Sequence, residues 1–229
     1  MAKALDTRAR LLKTAADLIW QSSYHSVGVE RICEQSGTNK GSFYHHFASK
    51  EELALAAIDE QWRELKPRMD EIFSAASPPL ERLGRYARES LRIQTARREE
   101  IGFVCGCPLY ALGSEVGTQS PQLRAKVAEL LETRFRYFES VVRDAQASGA
   151  IDVSDTTRTA HVLLDLVEGA LTRARITNNL APIADLEQAL LLVVGAPKAS
   201  KAPRAPKSAK APKSARAPGA RSSTARKSN

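Results

Sequence analysis

The chain has 229 residues, of which 43% are hydrophobic and 26% charged. That suffices for one sizeable domain or two small ones with a buried core, and no apolar run approaches the roughly 20 residues of a membrane span. The net charge of +8 is unevenly placed: ten of the 34 Lys/Arg and none of the 26 Asp/Glu follow Pro197, leaving 24 against 26 and a net of −2 before it. The basicity belongs to a tail, so a high overall pI is no warrant for nucleic-acid binding by the globular part.

The first residues, "MAKALDTRAR", contain no apolar core of a secretory leader. Cys33, Cys105 and Cys107 are odd in number and badly spaced for a disulfide scaffold, and free thiols in a cytoplasmic protein are expected.

The periodicity is helical almost throughout. "DTRARLLKTAADLIWQSS" places Leu11, Leu12, Ala15, Leu18 and Ile19 at helical spacing, with Asp6 or Thr7 as the cap. After the interruption "SYHSVG", a short helix over 29–36 carries Val29, Ile32 and Cys33 on one face, and Gly37 stops it. Asn39 caps a second short helix reaching about Phe47. "SKEE" is a capping box, Ser49 with Glu52, opening a long helix in which Pro67 is expected to cause a kink or a break. Beyond "SAASPP", helices are expected over about 80–98, from Leu109, over 121–146, 156–177 and 183–194. No segment alternates with a period of two, so no sheet is expected.

After Gly195 the composition changes. "KASKAPRAPKSAKAPKSARAPGARSSTARKSN" has no aromatic residue and only alanine as an aliphatic, which is too little apolar area to offset ordering entropy, so disorder is expected. Lys198, Lys201, Arg204, Lys207, Lys210, Lys213 and Arg216 recur every third residue, which would line one edge of a polyproline II helix. A solvated linker is the plain reading. The regular cations without any acid favour a sequence-independent DNA clamp acting by counterion release.

Two short helices joined by a tight turn at Gly37 and braced by an earlier helix make a helix-turn-helix. Its second helix enters the major groove with its N-terminal residues nearest the bases. In "NKGSFYHHF", Lys40, Gly41 and Ser42 then stand at the tip, Tyr44 and His45 reach phosphates, and Phe43 and Phe47 turn inward with Ile32. Lys50, in the first turn of the next helix, would assist the free N–H groups there in holding a phosphate.

"VERICEQSGTNKGSFYHHFASKEEL" resembles the DNA-binding domain of TetR-type transcriptional repressors, most specifically from Gly37 to Leu53 and strongly over residues 7–55. "GCPLYALGSEV" and "GALTRARITNN" are similar, less specifically, to the ligand domains of one broad TetR subgroup. The resemblance implies an all-α protein: a three-helix DNA-binding domain over 1–55, a helical ligand-binding and dimerisation domain over 56–196, and the basic tail over 197–229 outside the family pattern. It implies DNA contacts by Lys40, Ser42, Tyr44, His45, His46 and Lys50, flanked by Thr38 and Asn39. Cys33 and Thr38 depart from the small residues usual there and read as packing variants. A homodimer paired through its last two helices, double-stranded operator DNA and a small-molecule effector are the implied partners, with no membrane, no cofactor, no metal and no catalysis. The implied location is cytoplasmic, at the nucleoid.

Other readings stand beside these. Adjacent His45 and His46 diverge by about 100° on a helix and make a poor metal pair. Cys105 and Cys107, in a glycine-flanked loop at a helix start where thiol pKa values fall, suggest either a redox or electrophile sensor or two small residues lining a pocket. Phe103, Tyr110, Trp62, Trp20, Phe135 and Tyr137 are either pocket lining or core, and His161 reads as an interface histidine. A thiol redox enzyme and an architectural DNA-binding protein dominated by the tail are the competing functions.

Overall fold

The computed structural model describes residues 6–195, and among them there are ten α-helices and no strand. The tail from 198 onward, with its expected disorder and its regular cations, lies outside the described residues.

The head consists of α1 (Thr7–Gln21), α2 (Val29–Ser36) and α3 (Lys40–His46). Local chemistry sets each boundary. Asp6 accepts the Ala9 N–H at 2.7 Å, and Asn39 accepts that of Ser42 at 2.8 Å. Gly37 ends α2 in the left-handed region at φ 63°, where a Cβ would be penalised. Leu11, Leu18, Ile32, Cys33, Phe43 and Phe47 are all buried in one cluster, and burial of each large apolar side chain contributes about 1.5–3 kcal/mol. Cys33 is therefore a packing residue, and Thr38 bonds the Ser36 hydroxyl at 2.9 Å.

The next helix, α4 (Lys50–Ile72), begins at Ser49, whose hydroxyl accepts the Glu52 N–H at 3.1 Å. The return bond of the box is displaced by one residue: Glu52 accepts from Ala48 at 2.6 Å. Pro67 lies inside α4 without dividing it, so of the two expected effects the break does not occur. Residues 63–68 around the proline are each exposed, where a carbonyl deprived of its helical partner is least costly. The 55/56 boundary falls inside this helix, since Leu53 and Ala57 pack in the head while Ala54 and Ile58 pack in a second, larger cluster.

That second cluster is built by α4 with α5 (Pro79–Ile101), α6 (Pro108–Val116), α7 (Pro121–Ala147), α8 (Thr156–Thr177), α9 (Ala181–Ala184) and α10 (Leu186–Val193). The single helix expected over 183–194 is thus two pieces meeting at Asp185. α7 packs along α8, and Phe73, Tyr86 and Phe138 form an aromatic knot with centroids 5.1–5.6 Å apart. None of the described helices is long and apolar enough to cross a membrane.

Candidate DNA-reading surface and ligand cavity

α3 buries Phe43 and turns its other face outward. Lys40, Gly41, Tyr44 and His45 are exposed, Ser42 and His46 half-buried. Tyr44 stands edge-on to the Phe43 ring, which fixes its direction, and remains 58% exposed. Thr38 and Asn39 are occupied in forming the turn and cap. Lys40 pairs with Glu30, which raises the lysine pKa and lowers that of the glutamate through their shared hydrogen bond. Lys50, expected as a phosphate ligand, has partners within the head. Its ammonium donates to the Tyr24 carbonyl at 3.0 Å and lies 4.1 Å from the Tyr24 ring centroid. Desolvation lowers its pKa, and it ties α4 to the loop between α1 and α2. His45 and His46 pack edge to face, and the described residues include no cluster of three or more His, Cys, Asp or Glu suited to a metal ion.

A cavity of about 380 Å³ lies between α4, α5, the loop before α6, α7 and α8. Its walls are largely apolar, with Trp20 and Trp62 among them. At its floor Arg134 donates to the Tyr86 hydroxyl and to the Cys107 sulfur, the latter at 3.1 Å. Arg134 Nη1 is 2.7 Å from a carboxylate oxygen of Glu168, and both side chains are buried. The ion pair is close but not aligned as a hydrogen bond, for Arg134 Nε and both Glu168 oxygens have no hydrogen-bond partner.

The other candidates scatter. Cys107 and Tyr110 line a second cleft of about 530 Å³ between α1, α6 and α8, whereas Cys105 is buried outside both spaces. Phe103 is 64% exposed and lines neither. Phe135 stacks on His161 with centroids 4.0 Å apart, and Tyr137 donates to Asp70. The thiols do not have the lowered pKa expected at a helix start. Burial pushes Cys107 up to about 12 and Cys105 upward as well, because loss of water outweighs any helix-terminal effect.

A set of bonds joins the cavity to the head. The Gly106 carbonyl accepts from the Trp20 indole at 2.9 Å and from Gln94 at 3.0 Å, and Gln94 accepts the Gly106 N–H in return. Gly106 sits at φ 67°, and a Cβ there would meet the Leu171 carbonyl at 3.0 Å. Arg175 donates to the carbonyls of Trp20, Ser22 and Cys105 at 2.6–2.9 Å. Glu115 accepts the backbone N–H groups of Tyr24 and His25 at 2.7 and 2.8 Å. Sequence reasoning missed Arg134, Glu168, Gln94, Glu115 and Arg175. For two of these a signal existed: Arg134 falls in register with Leu130 and Phe138, and Glu168 with Leu164 and Leu171. A charge in an apolar register calls for a buried partner.

The family model described as "Bacterial regulatory proteins, tetR family" matches residues 11–57, and the "Tetracyclin repressor-like, C-terminal domain" matches 79–190. The transcriptional regulator AcuR of Cereibacter sphaeroides is 32% identical over 168 residues, 72% of this chain and 75% of the relative. The HTH-type transcriptional regulator UidR of Escherichia coli is 30% identical over 199 residues, 84% and 93% of the two chains. The crystal structure of a regulatory protein TetR from Rhodobacter sphaeroides superposes with a TM-score of 0.70 at 29% identity, covering 80% of this chain and 95% of that one. Reduced NemR of Escherichia coli shares the fold, with a TM-score of 0.74 at 23% identity over 85% of this chain and all of the other. With both family models matched and these relatives aligned over most of their length, the chain belongs to the TetR family of DNA-binding transcriptional regulators.

Proposed function

We propose that the protein is a homodimeric repressor that leaves a palindromic operator when a small molecule occupies the cavity beneath Trp20 and Trp62. The observation that carries this reading is the Trp20–Gly106 bond, since both residues line the cavity and Trp20 belongs to the first helix of the head. A ligand that displaces either residue displaces α1, on which the reading helix is built. The base-facing set is Lys40, Gly41, Ser42, Tyr44, His45 and His46, with Lys50 as a brace. Dimerisation is supported by an apolar stripe left open on α8, comprising Val162, Leu166, Gly169 and Ile176, and by Leu192 on α10. Ile176 is 77% and Leu192 72% exposed, and a Cβ at Gly169 would meet nothing within 4 Å. Two heads held by such an interface would read half-sites about one helical turn apart, so a small change in their spacing is enough for release. The tail adds a sequence-independent grip, and a protein bound to chromosomal DNA works in the cytoplasm at the nucleoid.

The competing thiol-enzyme reading is disfavoured by burial of both loop cysteines. The test begins with a duplex selected by the protein from random DNA. Small molecules that raise its melting temperature are then titrated into the complex. A short two-fold symmetric footprint and ligand-dependent release are expected; uniform coating of DNA would favour an architectural role.

A further inference from the structure

The apolar stripe on α8 carries two charges that restrict how anything can lie across it. Val162 and Ile176, 44% and 77% exposed, stand seven residues either side of Gly169. Asp165 and Arg173 stand four residues either side of it, and both are exposed. Leu166 and Thr172 stand three residues either side. Steps of three, four and seven keep all six on the face of Gly169. A Cβ at Gly169 would meet nothing within 4 Å, so the midpoint of the stripe offers bare backbone to a neighbour. Among the described residues Asp165 and Arg173 form no ion pair, whereas Glu168 of the same helix is paired inward with Arg134. Asp165 and Arg173 do not reach one another, being eight residues apart, about 12 Å along the axis.

A two-fold axis relates identical surfaces, so residue i meets residue j and j meets i. With α8 antiparallel to its copy and crossing at Gly169, each residue before the glycine meets the one equally far beyond it. Val162 then packs on the partner's Ile176, and Asp165 stands beside the partner's Arg173, twice over by symmetry. Parallel copies would put Asp165 against the partner's Asp165. An antiparallel crossing one turn earlier or later, near Asp165 or Arg173, would set that charge against its own copy. Like charges across an interface are costly, and opposite ones fix its register.

We infer that the occupant of this face is a second copy of the chain, its α8 antiparallel and crossing at Gly169, with two intermolecular Asp165–Arg173 ion pairs selecting that register. This deepens the homodimer reading and rests on it.

The test uses the full-length protein with Asp165→Arg, with Arg173→Asp, and with the exchange Asp165→Arg/Arg173→Asp, dimer dissociation being followed by sedimentation at low and high salt. Each single change converts two attractions into two repulsions and should weaken the dimer about tenfold or more. The exchange should restore it. Mixing the two single variants should restore it as well, since acid faces base again in the mixed dimer. The losses should shrink at high salt, which screens exposed charges and would not repair a packing defect. Both side chains are exposed, so helical content by circular dichroism should be unchanged in every variant. Single variants that dimerise like the unaltered protein, or an exchange weaker than either single change, would overturn the register and leave the dimer standing. An unaltered chain that stays monomeric would remove the dimer reading and the register with it.

Discussion

The indole N–H of Trp20 donates to the main-chain carbonyl of Gly106 at 2.9 Å, joining the last turn of α1 to the cavity wall across 86 positions of sequence. Arg175 reinforces the junction from α8 by bonding three carbonyls around it. Trp20→Phe keeps the ring packing and removes the donor. It should lower stability by about 1 kcal/mol and weaken ligand-driven release more than it weakens DNA binding. Arg175→Met, which leaves three carbonyls short of a donor, should lower stability by about 2–3 kcal/mol. Urea unfolding and anisotropy titrations on both variants check this; unaltered release in Trp20→Phe would remove the bond from the coupling route.

The two head residues Tyr44 and Lys50 should behave differently. Tyr44 is exposed and meets its own chain at the edge of the Phe43 ring, so Tyr44→Ala should weaken operator binding by about 1–3 kcal/mol with a melting temperature changed little. Lys50→Ala should lower both, because the Lys50 ammonium bonds the Tyr24 carbonyl inside the head. Equal melting temperatures for the two variants would contradict the bracing role.

What can be read in the sequence, and what cannot, follows from the range of the interactions. Asp6, Gly37, Asn39, Ser49 and Pro121 mark helix ends because a cap acts within four residues of itself, and the structure places ends at those points. The burial of Ile32, Phe43 and Phe47 follows from spacing alone. Pro67 leaves a break undecided in the sequence, because its penalty depends on whether water reaches the freed carbonyl, a property of the surroundings. Arg134 and Glu168 each stand in an apolar register, but they lie 34 positions apart, and their pairing is settled only when α7 packs along α8. Cys107 looks activated because it begins a helix, and burial reverses the sign of its shift.

The α8 stripe gives a test of assembly. Ile176→Glu places a charge on a side chain that is 77% exposed in the single chain, so the monomer fold should be unaffected within about 0.5 kcal/mol. Sedimentation should show monomers, and binding to the paired half-sites should be lost. A dimer unchanged in mass would place the interface elsewhere.

Deleting residues 198–229 removes ten cations on a segment with no aromatic residue to stack on bases. Affinity for the operator and for random DNA should fall by similar factors, without movement of the footprint. The slope of log affinity against log salt should become shallower by several units, about 0.9 for each phosphate that the tail no longer neutralises. An unchanged slope would mean that the tail does not grip DNA.

A thermodynamic cycle between the cavity and the head decides whether the two are coupled. Operator affinity is measured with and without a cavity-binding small molecule, and the affinity for that molecule is measured with and without operator. Linkage requires the two ratios to agree. Weakening is expected in both directions by the same factor, roughly 5- to 150-fold, with the factor reduced in Trp20→Phe. A molecule that binds the cavity tightly and leaves operator affinity unchanged would contradict the coupling of ligand to DNA through α1.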